Sequence, residues 1–313
     1  MNLNGATIKK NPLLFILQLS KLIIENKKPI TKRGVMSFNV SKSSGFHEPF
    51  KIEKIKKSLI KSGASEQLIQ ELADQIQQLK KVKSTKEIST FILDYLQKKD
   101  PGTAARYNLK YALMELGPAG YSFEKYIAEL FKYQGYETQV NQVINGKCID
   151  HEVDFVADNK KEILFVECKF HNRRGVKSDV KVALYIKARL EDIKEEYKKS
   201  DERREPKALI VTNTKFTSKT IRYGKCAGIQ MLDWSYPKDA SLAILIKKLG
   251  LYPITTLTCL NRKQKRSFIQ HGFVLCRQAK DNIALLKELG ISEHQIKAIL
   301  KESSSLCPKK KER

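Results

Sequence analysis

The feature that most constrains the fold is a pair of apolar segments, residues 151–157 and 162–170, joined by the polar turn Asp158-Asn159-Lys160-Lys161. Both segments are rich in Val, Ile and Phe, which is typical of β-strands, and the turn residues favour a hairpin. If the turn centres on its two lysines, Asp154 lies about opposite Glu167. The sequence therefore predicts a β-hairpin with two carboxylates facing each other.

Alternation of side chains along these strands places Glu152 and Asp154 on one face of the first strand, with Glu167 and Lys169 on the matching face of the second. Neighbouring carboxylates repel, and a divalent cation relieves that repulsion. Hard oxygen ligands suit Mg²⁺ held by one or two carboxylates and a substrate phosphate. The alternative is a half-solvated face on which Asp154 pairs with a neighbouring lysine.

Asp154 followed by Glu167-Cys168-Lys169, with apolar residues before each, resembles the active-site signature of the PD-(D/E)xK nuclease superfamily. A helix before the hairpin and an αβ segment after it make residues 119–237 resemble Mrr-type restriction endonucleases and archaeal Holliday-junction resolvases. The resemblance implies a restriction-endonuclease-like mixed sheet flanked by helices. It also implies a site in which Asp154, Glu167 and the Cys168 carbonyl bind Mg²⁺ or Mn²⁺, with Lys169 as the catalytic lysine.

Two further groups of residues follow from this resemblance. Glu124, on the helix before the hairpin, matches an additional acid of resolvase-like enzymes, although the helix dipole explains a glutamate in a first turn nearly as well. Mrr-type relatives often carry Gln-xxx-Tyr on the helix after the hairpin, where this chain has a lysine and a tyrosine. Residues expected to contact DNA, on this helix and in the preceding basic loop, are Arg173, Arg174, Lys181 and Tyr185.

The amino-terminal region reads as a polar hairpin over residues 40–50 that runs into a helix, with start signals for three more helices at Ser65, Ser84 and Asp100. A small hairpin with about four helices over residues 38–115 resembles the ATP-cone, the regulatory nucleotide-binding domain of ribonucleotide reductases and of their transcriptional repressor. The matching residues are Val40, Lys42, Gly45, Glu48, Phe50, Lys54, Ile55 and the stretch from Pro101 to Tyr107.

The ATP-cone resemblance implies ATP or dATP as a regulatory ligand. The residues expected to bind it are Val40, Lys42, Gly45, Glu48, Lys54 and Arg106. Lysines neutralise a triphosphate, and a glycine lets the backbone approach it closely. The family usually carries Lys-Arg-Asp-Gly where this chain has Lys42-Ser43-Ser44-Gly45, which removes an arginine and an aspartate from the phosphate and ribose contacts.

Net charge indicates the class of partner, and cysteine usage indicates the redox environment. The chain carries 59 Lys+Arg against 34 Asp+Glu, a formal net charge of +25, which predicts attraction to a polyanion. Nucleic acid is favoured over an anionic membrane, because the basic residues are spread along the chain and do not flank an apolar anchor. Six cysteines without a CxxC pair argue against zinc and against a disulfide framework, and they fit a reducing cytoplasm.

We therefore expect an α/β (α+β) protein of four segments: an N-terminal extension (1–37), an ATP-cone-like domain (38–117), a nuclease-like domain (118–240) and a helical region with a basic tail (241–313). In the last segment, a capping pattern at Ser292 and Gln295 is faintly similar to a helix-hairpin-helix DNA-binding unit. A small helical cap on the nuclease is the alternative.

The resulting hypothesis is a metal-dependent endonuclease of restriction or DNA-repair type that cuts double-stranded or branched DNA as a homo-oligomer and is regulated by ATP or dATP. The competing hypothesis is a nucleotide-responsive DNA-binding regulator without cleavage activity. Glu167 and Lys169 separate the two. A binder needs neither, and acids there would oppose the approach of DNA unless a metal intervened.

Overall fold

Local capping signals explain the amino-terminal helices. The short strands β1 (Asn39–Ser41) and β2 (His47–Pro49) pair in antiparallel orientation and are followed by α1 (Ile52–Lys61), α2 (Glu66–Gln77), α3 (Thr85–Lys99) and α4 (Pro101–Met114). Ser65, Ser84 and Asp100 each accept a hydrogen bond from a backbone N–H in the first turn of the helix that follows. The predicted hairpin with four helices is confirmed.

This computed structural model describes residues 39–41, 47–79, 84–118, 120–200 and 202–307. The expected N-terminal extension, the predicted nucleotide-binding residues Lys42 and Gly45, and the basic tail lie outside the described residues. No helix among the described residues is both long enough and apolar enough to cross a membrane.

The central segment contains one mixed sheet. Its elements are α5 (Tyr121–Lys132), β3 (Glu137–Asn145), β4 (Asp150–Asp158), β5 (Ile163–Lys169), β6 (Lys177–Ser178), α6 (Val180–Tyr197), β7 (Lys207–Thr212), β8 (Lys215–Phe216), α7 (Ser218–Cys226) and β9 (Gln230–Leu232). The strand order is β3-β4-β5-β7-β9, with antiparallel pairing up to β5 and parallel pairing beyond it. Strands β6 and β8 form a separate parallel pair.

The sheet is covered on both faces, which is why β5 and β7 are almost continuously apolar. On one face Phe155 and Val166 pack with Phe123 and Ile127 of α5. On the other face, Phe165 and Ile210 pack with side chains of α6 such as Ile186. This α/β arrangement is the one predicted.

The carboxyl-terminal helices join the other two segments. They are α8 (Leu242–Leu249), α9 (Arg262–Gln270), α10 (Cys276–Asp281), α11 (Ile283–Glu288) and α12 (Glu293–Leu306), with a 3₁₀ turn at Ile254–Thr256. Thr255 Oγ1 donates to the Ala112 carbonyl of α4, and the Tyr126 hydroxyl of α5 donates to the Leu251 carbonyl. The region is a helical cap whose apolar residues share one core with α4 and α5, so the described residues from Asn39 onwards form one compact unit.

Candidate active site

The hairpin of β4 and β5 has the predicted register. Phe155 pairs with Val166 and Ala157 with Leu164, so the next position along places Asp154 opposite Glu167. Strand pairing ends there, and Asp154 Oδ2 accepts a 2.6 Å hydrogen bond from the Cys168 N–H. The carboxylate therefore takes the place of a strand partner at the point where β4 and β5 separate.

Strand β4 is irregular at the same residue. Its ladder with β3 skips the Asn141–Asp154 pair, and Asn141 has a positive φ of 52°. Val153 packs in the core beneath α6, whereas Phe155 packs in the core beneath α5. The strict alternation that placed Glu152 and Asp154 on one face is thus interrupted at Asp154. Glu152 still lies close enough for its charge to raise the pKa of Asp154.

The first turn of α5 brings a fourth acid, Glu124, to this place. Burial, and then the negative charges of Asp154, Glu167 and Glu152, raise the pKa of Glu124 to about 7. A Cβ atom on Gly120 would lie 2.9 Å from Glu124 Oε1, so the missing side chain at that position makes room for the carboxylate. The fold therefore gathers Glu124 with the three acids of the hairpin.

The carboxylates repel one another, and this repulsion contributes to a raised pKa of Asp154. Burial and the charge of Glu167 raise the pKa of Asp154 to about 6, while the Cys168 N–H and the guanidinium of Arg189 act in the opposite direction. Such a shift in a cluster of acids is typical of a functional site that receives positive charge from a ligand.

Arg189 of α6 is a site residue that the sequence analysis missed. Its Nη1 donates to Glu167 Oε2 at 2.8 Å, and its Nη2 donates to the Tyr185 hydroxyl at 3.0 Å. The guanidinium also lies 4.7 Å from the centre of the Tyr185 ring. The i,i+4 spacing of Tyr185 and Arg189 was a signal for this pair. Tyr185, predicted to contact DNA, is thus connected to Glu167 through the arginine.

The basic loop after β5 is held by hydrogen bonds at His171 and contacts α4 through Arg174. Asn213 Oδ1 accepts from the His171 N–H, and Asn213 Nδ2 donates to the His171 carbonyl. Burial and the nearby Lys169 ammonium lower the pKa of His171. Arg174 lies over the Tyr111 ring of α4, with its guanidinium carbon 5.3 Å from the ring centre.

The other residues predicted for catalysis and DNA contact lie at the surface. Lys169 is exposed at the end of β5, where its carbonyl accepts from Thr212 Oγ1. Arg173 and Lys181 are also exposed, in the loop and in the first turn of α6. The structure therefore leaves these three side chains accessible to a ligand.

The donor set fits a hard divalent cation. Asp154 Oδ1 and Glu167 Oε1 accept no hydrogen bond from a described residue, since the protein donors bond to the other oxygen of each carboxylate. The Cys168 carbonyl points to the same side of β5 as its N–H, because both groups of a strand residue face one neighbour. Among the described residues, no three His, Cys, Asp or Glu side chains converge to hold a metal alone. Water and substrate phosphate would complete the coordination of a cation held by these residues, as is usual for Mg²⁺.

The predicted nucleotide-binding residues divide into two groups. Val40 and Glu48 pair across β1 and β2, and Lys54 is exposed on α1. Arg106, on α4, donates from Nε to the Ser62 carbonyl and from Nη2 to Thr103 Oγ1, both at 2.7 Å. Arg106 therefore ties the end of α1 to the start of α4, a structural role that the sequence analysis did not assign.

Fold and site together define a restriction-endonuclease-like protein fused to an ATP-cone. The restriction endonuclease family model (Mrr_cat) matches residues 118–235, and the ATP cone domain model matches residues 38–111. A third model, described as AF1548-like, C-terminal, matches residues 252–307. The chain contains an ATP-cone domain followed by a restriction endonuclease domain, as its sequence predicts, and its C-terminal helices match a separate family model.

Two relatives place the chain in a family. An uncharacterized protein of Archaeoglobus fulgidus is 32% identical over 181 residues, which is 58% of this chain and 99% of that protein. A solved structure described as the crystal structure of the protein of unknown function AF1548 is 31% identical, with a TM-score of 0.50, and covers 60% of this chain and 98% of that chain. The protein belongs to the family of these AF1548-like proteins.

Proposed function

We propose that this protein is a metal-dependent endonuclease that hydrolyses phosphodiester bonds of double-stranded or branched DNA, in restriction or repair, under the control of ATP or dATP. The observation that carries this proposal is the group of Glu124, Asp154 and Glu167 beside the exposed Lys169. The restriction endonuclease domain and the ATP-cone support a nuclease with nucleotide regulation. The net charge of +25 supports a polyanionic substrate. The six cysteines without a CxxC pair support a reducing cytoplasm.

Asp154, Glu167 and the Cys168 carbonyl are the groups that would hold Mg²⁺ or Mn²⁺. When bound, the cation supplies positive charge that stabilises the negative charge developing on the phosphate. Arg189 holds Glu167 in one orientation, and the Cys168 N–H does the same for Asp154. Both ligands are thereby positioned before substrate binds, which reduces the reorganisation needed during the reaction.

Hydrolysis forms one P–O bond to the attacking water and breaks one P–O bond to the sugar, so the water must lose a proton and the leaving sugar oxygen must gain one. In this proposal the Lys169 ammonium orients that water and offsets charge on the phosphate. In the metal-free protein Glu124 is able to hold a proton at its carboxylate near neutral pH, because burial and then the neighbouring carboxylates raise its pKa to about 7. The neighbouring His171 is predominantly neutral at that pH, because burial and the Lys169 charge lower its pKa.

Nucleotide control would act through α4 of the ATP-cone. The connection from α4 to α5, residues 115–120, is short, and α5 carries Glu124. Arg174 of the basic loop stacks on Tyr111 of α4. A movement of α4 on nucleotide binding would therefore reach both the acid cluster and the basic loop.

The test is cleavage of plasmid, linear and branched DNA by the purified protein with Mg²⁺ or Mn²⁺, compared with Asp154→Asn. We expect wild-type cleavage to exceed that of the variant by roughly a thousandfold, since a metal contributes several kcal/mol. Equal rates in the two proteins would contradict the proposal. A panel of methylated and unmethylated substrates would then define specificity.

The second candidate is a nucleotide-responsive DNA-binding regulator that does not cut. The ATP cone domain favours it, because the ATP-cone that residues 38–115 resemble regulates a transcriptional repressor as well as ribonucleotide reductases. Salt-dependent DNA binding that responds to ATP, without cleavage under any metal, would support the regulator and exclude the nuclease.

A further inference from the structure

Four cations meet where α4 contacts the loop after β5 and the small sheet of β6 and β8. This junction patch consists of Lys110 of α4, Arg174 of the loop, Lys177 of β6 and Lys215 of β8. Only Arg174 is among the residues that the sequence associates with DNA. The members come from four separate elements, so no motif in the sequence joins them.

Two of the lysines lie side by side. Lys177 and Lys215 are direct partners in the parallel β6–β8 pair, and both are exposed. Their successors Ser178 and Phe216 are buried, which turns the two lysines outwards on the same face. Like charges in directly opposed positions of a sheet are destabilising, so the pair favours binding of an anion.

The other two cations approach from α4 and the loop. The Lys110 ammonium lies 5.7 Å from the centre of the Trp234 ring, and Arg174 stacks on Tyr111, the residue that follows Lys110. Burial, and then the charges of Lys215 and Arg174, lower the pKa of Lys110. The ATP-cone helix and the nuclease segment therefore contribute positive charge to one place.

The protein supplies little negative charge in return. Asp233 is the acid that acts on Lys110, but it is buried, and its carboxylate accepts from the N–H groups of Phe216, Ser235 and Tyr236. None of the four patch cations forms a salt bridge with a described residue. The patch is thus a concentration of positive charge that its own surroundings leave largely uncompensated.

We propose that the junction patch binds backbone phosphates of the DNA on which the candidate active site acts, so that Lys110 makes the ATP-cone helix part of the DNA-binding surface. This inference rests on the proposed nuclease function. Arg174 is the fifth residue after Lys169, a reach of at most about 18 Å. At about 3.4 Å per nucleotide of one strand, Arg174 lies within roughly five nucleotides of Lys169.

The arrangement of the patch favours DNA over a free nucleotide triphosphate. Arg174, Lys177 and Lys215 are exposed and stand on different elements. Separate, exposed cations suit a long polyanion with regularly spaced charges, and contacts of this kind position DNA without reading its sequence.

The experiment measures affinity for a short fluorescein-labelled duplex by anisotropy, in EDTA, over a series of NaCl concentrations. The test variant is the double substitution Lys177→Gln/Lys215→Gln. The matched control is Lys160→Gln/Lys161→Gln, which removes the same charge from two exposed lysines in the turn at the far end of the hairpin. Lys110→Gln reports on the contribution of the ATP-cone helix. Thermal denaturation verifies that each variant is folded.

We expect the patch double variant to reduce the slope of log K against log[salt] by up to about 1.8, and Lys110→Gln by about 0.9, at about 0.9 for each lost phosphate contact. The turn double variant should keep the wild-type slope. Equal slopes in the patch and turn variants would overturn the inference. Cleavage by the wild type would still support the proposed function in that case. Weaker binding of a fluorescent ATP analogue, with duplex binding unchanged, would assign the patch to nucleotide and overturn it too. A wild type that neither binds nor cuts DNA would refute the proposed function as well.

Discussion

In the restriction endonuclease segment the predicted acids of the hairpin lie on two strands joined by a four-residue turn. In the ATP-cone, by contrast, the predicted nucleotide-binding residues that the structure describes lie on β1, β2, α1 and the distant α4. The acids of the first region influence one another's pKa values, as expected for a common site. In the second region Arg106 is bonded to Ser62 and Thr103. Residues that are close in sequence reveal a site directly, while a distant residue can match a motif and still serve packing.

The largest expected effect is a loss of DNA cleavage on substitution of the hairpin residues, and it distinguishes residues that bind metal from residues that act in the reaction. Lys169→Met should reduce DNA cleavage by roughly 10²–10³-fold, as for loss of one charge-stabilising donor, and preserve the rise in melting temperature caused by Mg²⁺. Asp154→Asn should reduce cleavage by roughly a thousandfold and also remove the melting shift, because it removes a metal ligand.

Lys161→Met is the control for the lysine substitution, since this exposed residue lies in the turn remote from the acids. The measurements are plasmid cleavage and thermal denaturation with and without Mg²⁺. If Lys169→Met cuts as fast as Lys161→Met, the lysine has no part in the reaction.

The next effect joins the two regions. Saturating ATP and dATP should change DNA affinity or cleavage by different factors, within the range of about 5–150-fold that corresponds to coupling of 1–3 kcal/mol. Lys42→Ala should remove this response, because it deletes a predicted phosphate contact. Parallel sedimentation would show whether nucleotide also changes the expected homo-oligomer. Identical activity and assembly with and without nucleotide would make the ATP-cone a passive tether.

A smaller effect, on stability, tests whether Arg106 has a structural role. Arg106→Met should lower the free energy of unfolding by about 1–3 kcal/mol, since it breaks hydrogen bonds from a charged donor that joins α1 to α4. Arg222→Met, at an exposed position of α7, is the matched control and should leave stability unchanged. Chemical denaturation measures both. If Arg106→Met loses nucleotide affinity and keeps its stability, Arg106 binds the nucleotide and does not stabilise the contact between α1 and α4.

The smallest effect is a pH dependence in metal-free protein. The pKa values of Asp154 and Glu124 rise from 3.8 and 4.5 to about 6 and about 7 on folding. The folded chain thus binds these protons more tightly, and the associated stability is lost as pH rises through 6 and 7. Melting temperature should fall between pH 5 and pH 8, by roughly 2–4 °C for each kcal/mol.

Glu124→Gln should reduce this slope, and the difference from wild type isolates the glutamate from histidines that titrate in the same range. Added Mg²⁺ should raise the melting temperature more at pH 8 than at pH 5, because metal ligands must be deprotonated. Calorimetry with parallel slopes for wild type and Glu124→Gln would show that the glutamate does not titrate in this window.

Much of the fold could be predicted from local signals. Capping residues predicted the start of three helices, at Ser65, Ser84 and Asp100. A run of β-branched and apolar residues predicted strand β7 over residues 207–212. These signals act over a few residues, and here the helices and the strand formed where the signals stand. Local signals could not predict that α4, α5 and the C-terminal helices share one core. Contacts such as Tyr126 to Leu251 join residues that are far apart in the chain.

The sequence by itself determined the hairpin, its register and the opposition of Asp154 and Glu167, since a short turn between two apolar strands leaves few alternatives. Only the tertiary structure decided that Glu124 joins these acids, that Arg189 holds Glu167, and that Arg106 packs α1 against α4. The same holds for the junction patch, whose four cations come from four elements. The reason is physical: the reach of a side chain is set by how helices pack on the sheet, and packing depends on the whole core.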